Sequence, residues 1–187
     1  MKTSQLKLHC AMIGATIALF LFALALNELL FTRLEFVPGI NWIYLPAGIR
    51  LLCTLLFAEA GAIGLLLVSW GVCFFYFFPH DPMRSFMGGI LASASPWLVY
   101  LGMRRYLGLQ AALTNLTPAR LLLCALAFSL ASPLLHHIWF ALYEGKTGLL
   151  RSFVVMATGD FCGTVTVLYV AKWLLARTAP VRPELSN

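Results

Sequence analysis

The chain predicts an all-α fold, a polytopic membrane helix bundle of about six transmembrane helices with both termini cytoplasmic, and three observations carry that reading. Hydrophobic residues make up 61% of the sequence and charged residues only 11%, whereas a soluble domain carries about 25% charge. Apolar runs long enough to cross about 30 Å of hydrocarbon recur along the whole length. The breaks between them collect prolines, glycines and charges, and basic residues are shared unequally between alternate breaks. A chain of 187 residues has room for one compact bundle and none for an attached soluble domain. Residues 1–176 are therefore read as a single bundle, and 177–187, with Pro180 and Pro183, as a flexible cytoplasmic tail.

The first span covers residues 9–31. Its basic start resembles the n-region of a signal peptide, but the apolar run over 10–30 is too long and lacks a small-residue cleavage site, so the segment is expected to be retained. The loop 32–41 holds Arg33, Glu35 and the turn pair Pro38-Gly39. Residues 42–78 are too many for one helix and barely enough for two. A split at Ala58-Glu59-Ala60-Gly61 gives a short second span, with Pro46 in its first turn where proline is tolerated, and a third over 62–78. Pro79-His80-Asp81-Pro82 makes a loop. The fourth span, 85–106, contains Pro96, and the fifth, 119–143, contains Pro133; each proline should kink its helix and free a carbonyl. Thr117-Pro118 marks the start of the fifth, and the turn 144–148 leads into the sixth, an apolar run over 149–175.

Charge bias sets the orientation. With the amino terminus inside, the cytoplasmic segments hold Lys2, Lys7, Arg104, Arg105, Arg120, Lys172, Arg177 and Arg182, and the outer loops hold only Arg33, Arg84, Lys146 and Arg151. That bias places both termini in the cytoplasm, with the bundle expected in the cell's inner (plasma) membrane. A five-span arrangement, with part of 42–78 buried or re-entrant, would put the termini on opposite sides and set Arg104-Arg105 against the basic tail. The net charge of +6 is spread singly between apolar runs and forms no patch, so the lipid bilayer rather than nucleic acid is the partner it serves. Cys10, Cys53, Cys73, Cys124 and Cys162 lie dispersed in apolar segments without a CxxC pair. They read as small buried residues, with no disulfide framework, metal site or cofactor implied.

The sixth span carries Asp160 in Gly159-Asp160-Phe161-Cys162-Gly163-Thr164, about 15 Å below the outer end of its helix. An ionisable residue at that depth needs a partner, a cavity or a pathway. Arg50, in Tyr44-Leu45-Pro46-Ala47-Gly48-Ile49-Arg50, is the only basic residue well inside an apolar segment, about 8 Å below the outer end of its own span, and is the expected partner. Gly159 and Gly163, one helical turn apart, leave room for a neighbouring helix. Asn27, Glu28, His136 and His137 fall in the same outer half and complete a polar cluster.

Each of these has a structural alternative. Arg50 and Asp160 could be an ion pair of the fold, two snorkelling side chains, a ligand site or part of a proton or ion path. His136 and His137 point about 100° apart on a helix, a poor arrangement for one metal, and read as an interface pair. Glu28 and Glu59, near span ends, read as solvated. Residues 74–78 with Trp42, Tyr44, Trp97, Trp139 and Trp173 read as interfacial anchors, and a stacking site for a flat ligand is the second reading. The chain lacks GxSxG, HExxH, P-loop and dinucleotide motifs, and Ser93, Ser95, Ser129 and Ser132 lie on proline-kinked spans where hydroxyls satisfy backbone groups. No enzymatic activity is expected.

The early segment Leu45-Pro46-Ala47-Gly48-Ile49-Arg50-Leu51 and the late segment Gly159-Asp160-Phe161-Cys162-Gly163-Thr164 together resemble the MASE-type membrane-associated sensor domain of bacteria. Pro46, Gly48, Gly159, Asp160 and Gly163 carry the resemblance; Arg50 stands where an apolar residue is expected. The resemblance implies a sensory, small-ligand-binding role reported through a partner protein, here a separate chain. The alternative is the substrate-binding membrane subunit of a vitamin-type transporter, which such a six-span bundle also resembles in size. Its docking face would be the small residues Gly88, Gly89, Ala92 and Ala94.

Overall fold

The computed structural model describes residues 3–110 and 113–178. In it the chain is a helical bundle of α1 (Thr3–Phe31), α2 (Leu45–Phe57), α3 (Glu59–Val72), α4 (Pro82–Leu107), α5 (Pro118–Leu142) and α6 (Leu149–Thr178). Five stretches are long and apolar enough to cross a membrane, Thr3–Leu34, Glu59–Phe77, Pro82–Leu107, Pro118–Leu142 and Leu149–Leu174, which makes this a membrane-embedded bundle. α6 continues through Arg177, where a flexible tail was expected to begin, and residues 179–187 of that tail lie outside the described residues.

The all-α class holds, and the one departure from helix is local, in the loop read over 32–41. After a 3-10 turn, Thr32–Leu34, the loop before α2 is a small antiparallel hairpin of β1 (Glu35–Val37) and β2 (Ile40–Asn41), with Glu35 opposite Asn41 and Val37 opposite Ile40. Gly39, at φ +82°, supplies the left-handed position at its turn.

The second apolar segment also differs from a simple span. Its helix starts at Leu45 and has 13 residues, about 20 Å, too short to cross on its own. Ten of those residues are buried, because α2 sits among the long helices and packs chiefly on α6, α1 and α3. The depth it lacks is made up by extended chain entering from the hairpin: Ile40, Asn41 and Tyr44 are all buried. Non-helical backbone at such depth must have its polar groups satisfied by protein. Trp42 N–H donates to the Leu34 carbonyl at 3.0 Å, and Tyr44 N–H to the Gly159 carbonyl at 3.1 Å. Leu45 N–H donates to the Asn27 carboxamide oxygen of α1 at 2.9 Å.

Asn27 therefore acts as a helix cap delivered from another helix, a role that sequence spacing does not reveal. Truncation to alanine strands the first buried N–H of α2, so Asn27→Ala should cost about 1–2 kcal/mol. A lowered thermal midpoint in detergent, without loss of the helical signal, is the expected measurement; an unchanged midpoint would contradict it.

The break between α2 and α3 is a single residue, Ala58, at φ +48°. α3 can fold back at once because Gly61 lies against the Cys53 carbonyl, where a Cβ would come within 2.3 Å. At its far end α3 runs into a π-helical turn, Cys73–Phe77. The Ser85 hydroxyl braces that turn, its one proton shared between the carbonyls of Cys73 at 3.0 Å and Phe78 at 2.8 Å.

The other boundaries follow local chemistry. Asp81 caps α4 by accepting from Arg84 N–H at 2.9 Å, and Gly108 closes it at φ +59°. Thr117 caps α5 ahead of Pro118. Near the internal prolines, Ser93, Ser95 and Ser129 bond to carbonyls of their own helices, as expected for hydroxyls in apolar helices.

Candidate functional site

The two short segments singled out in the sequence meet in space, and glycine is the reason. A Cβ on Gly159 would stand 1.9 Å from the Asn41 carbonyl oxygen, and one on Gly163 would stand 1.9 Å from that of Tyr44. Gly48 of α2 is also tight, its missing Cβ falling 2.5 Å from Val167 Cβ and 2.9 Å from the Gly163 carbonyl oxygen. The chain entering from the hairpin thus lies directly on the backbone of α6. Pro46, in the first turn of α2, has no N–H to leave unpaired at this buried start.

This crossing holds Arg50 inside the bundle at 7% exposure. Its guanidinium lies over two rings, Phe20 of α1 and Tyr44, each at 5.4 Å from the ring centroid. Among the described residues it forms no ion pair, and Nε is buried without a hydrogen-bond partner. Arg50 lines a cavity of about 60 Å³ together with Tyr44, Cys73, Phe77, His136 and Trp139. That cavity opens toward the hairpin end. There a wider vestibule of about 490 Å³ shares Pro38, Ile40, Phe77, Phe78, Arg84 and Phe140 with it and adds Lys146, Arg151 and Ser152.

The direct Arg50–Asp160 salt bridge that depth arithmetic suggests does not form. Asp160 is 1% exposed and lies within range of the Arg50 charge. Neither Asp160 Oδ2 nor Ser132 Oγ completes a hydrogen bond. The physical reason for the separation is that the Arg50 guanidinium is drawn over the Phe20 and Tyr44 rings on the wall of the cavity, which Asp160 does not line. The result is two buried, incompletely satisfied groups of opposite charge.

The remaining expected residues divide. His136 lines the cavity, with Nδ1 2.8 Å from the Ser132 carbonyl. His137 points elsewhere: Nδ1 is 2.8 Å from the Pro133 carbonyl and therefore carries the proton, and Nε2 is 2.9 Å from the Ser152 hydroxyl. Asn27 is the α2 cap rather than a cavity residue. Glu28 is half-buried near Tyr76 and its backbone carbonyl accepts from Thr32. No group of three metal-ligating side chains comes together among the described residues.

Aromatic anchoring explains only part of the ring-rich sequence. Phe75, Tyr76, Trp42 and Trp173 are exposed, as membrane anchors would be. Tyr44 and Trp139 are buried, and with Phe77, Phe78 and Phe140 they wall the cavity. Sequence reasoning also missed Arg84, Lys146 and Arg151 as a group. Their only signal was that they flank consecutive breaks assigned to one side of the membrane.

The cations there are braced by rings. Arg84 lies 4.1 Å from the Phe78 ring centroid, Lys146 lies 4.6 Å from that of Phe140, and Arg151 lies 5.1 Å from that of Phe36. Glu144 pairs with Arg84 at 3.4 Å and with Lys146 at 2.6 Å.

No protein-family model, curated protein or solved structure matches the chain.

Proposed function

We propose that this protein is a non-enzymatic inner-membrane module that binds a small ligand at Arg50 and reports it through a partner protein. In this reading α2 counts as a sixth, shortened pass, both termini are cytoplasmic as the basic-residue bias suggests, and the hairpin end faces outward. The observation that carries the proposal is the buried guanidinium of Arg50, with Nε unpartnered, on the wall of a cavity continuous with an open vestibule. A group so expensive to bury is kept for a pathway, a binding site or a switch. Asp160, close enough to feel that charge but not bonded to it, supplies a second state. Ligand engagement of Arg50 changes its balance with Asp160, and shifts of one or two Å between α2 and α6 carry the change to the cytoplasmic ends. The resemblance of the 45–51 and 159–164 segments to MASE-type sensor domains agrees with this reading.

Transport draws no support from packing. Gly89 of the small-residue face on α4 is covered by Trp70, whose Cδ1 would lie 2.1 Å from an added Cβ, and Ala92 is buried. Those two residues are used inside the bundle, while Gly88 and Ala94 are half-buried.

The test is affinity purification of the tagged protein from native membranes in mild detergent, wild type beside Asp160→Asn, with partners identified by mass spectrometry. A kinase, cyclase or other signalling protein whose recovery depends on Asp160 is the expected result. A coupling subunit with its ATPases would overturn the sensory reading in favour of transport, and recovery of the protein alone would leave the polar pair a structural role.

A further inference from the structure

Resting on the reading of the cavity as a ligand site, we infer the class of ligand: an organic oxyanion, a carboxylate or phosphate head on an apolar, ring-sized body, entering from the hairpin end. Charge is the first argument. The fully charged side chains lining the cavity and its vestibule are Arg50, Arg84, Lys146 and Arg151, and no Asp or Glu lines either space among the described residues. Glu144, from outside the lining, offsets Arg84 and Lys146 in part. Arg151 at the mouth and Arg50 in the cavity wall form no ion pair among the described residues. Cations along an otherwise apolar cleft concentrate anions and speed their entry.

Geometry is the second argument. A guanidinium offers a planar fork of donors matched to two oxygens of a carboxylate or phosphate. The rings of Phe20 and Tyr44 hold the Arg50 fork by its face and leave Nε unbonded. The cavity, about 60 Å³, suits a head of a few heavy atoms, and the vestibule, about 490 Å³, suits a ring-sized body between Phe36, Phe78 and Phe140. The mouth cations, each seated on a ring, are preorganised for an incoming anion. The π-helical turn then has a purpose: braced by Ser85, it turns Cys73 and Phe77 into the cavity wall.

The test uses the full chain in nanodiscs of zwitterionic phosphatidylcholine, with binding of benzoate, phenyl phosphate, benzamide and benzylamine followed by equilibrium dialysis. Saturable binding of benzoate or phenyl phosphate is expected, with benzamide weaker by about tenfold or more. Arg50→Gln should weaken the anion by about tenfold or more, whereas Arg84→Gln and Arg151→Gln should each weaken it about threefold to tenfold and flatten its salt dependence. Should Arg50→Gln fail to fold, the two mouth variants carry the test. Displacement of the probe when phosphatidylglycerol is added would identify a lipid headgroup as the source, and no displacement a free solute; either keeps the oxyanion class. Benzamide or benzylamine binding as tightly as benzoate would overturn that class and leave the ligand-site reading standing. Failure of all four probes to bind a well-folded wild type would overturn the inference, while the Asp160-dependent partner recovery decides the underlying reading independently.

Discussion

Alanine at Gly163, and alanine at Gly159, should each collapse the yield of folded protein. A single added methyl group falls 1.9 Å from a backbone carbonyl oxygen in both cases, Tyr44 for one and Asn41 for the other. A flexible side chain could turn away, but a carbonyl in the packed entrance to α2 can yield only by moving the chain that carries it. Overpacking in a core costs about 1–3 kcal/mol when side chains absorb it. Here a cost of about 3 kcal/mol or more is expected, because separating α6 from the 41–45 segment also breaks the Tyr44 N–H to Gly159 carbonyl bond.

Gly71 and Gly102 are the controls. Both are helical with nothing within 4 Å of an added Cβ, so alanine there should be neutral or stabilise by up to about 1 kcal/mol. Thermal midpoints from size-exclusion profiles in detergent give the comparison. Equal midpoints for Gly163→Ala and Gly102→Ala would sink the described crossing.

The second large effect is non-additive. Asp160→Asn should leave Arg50 buried without its compensating charge, and Arg50→Leu should leave Asp160 in the same position. Each single change is expected to cost on the order of 2–3 kcal/mol, below the roughly 3–5 kcal/mol of a contacting buried pair because the two are not bonded. The double variant Arg50→Leu/Asp160→Asn removes both buried charges, and an apolar replacement of a buried pair is commonly neutral or stabilising. It should recover most of the loss, a coupling of about 1–3 kcal/mol. Strictly additive losses would mean that the two charges do not share an environment, contrary to the Coulombic influence of Arg50 on Asp160.

These two predictions separate what the sequence made legible from what it did not. Apolar run lengths were enough to mark the long helices, and the breaks at Ala58, 79–82 and 117–118 fell close to the observed ends. Gly159 and Gly163 are recognisable as close-approach positions from spacing alone, whereas nothing in the spacing marks Gly48 as one. The target of that pair is not legible: a helix neighbour is expected, whereas Gly159 and Gly163 receive extended chain leading into α2. Hydropathy does not report whether a buried stretch is helical, which is why 42–44 was counted in a span.

Depth arithmetic placed Arg50 and Asp160 in the same layer but carried no azimuth. It could not distinguish a guanidinium pointing at a carboxylate from one pointing into a ring-lined cavity. Asn27 was grouped with the polar cluster by depth, and its role as a cap depends on a backbone 18 residues away. Arg84, Lys146 and Arg151 entered the sequence argument only as a topological tally. Three-dimensional assembly of the hairpin with two later loops makes them one lining, and no local pattern encodes that assembly.

Arg50 and Asp160 serve function rather than the fold in this account, and the double variant tests that claim most directly. Arg50→Leu/Asp160→Asn, purified from native membranes beside the wild type, should elute monodisperse with a thermal midpoint near that of the wild type. If the proposed function holds, it should nonetheless lose the signalling partner expected to co-purify with the wild type. A stably folded double variant that still brings down the same partner at the wild-type ratio would contradict the account.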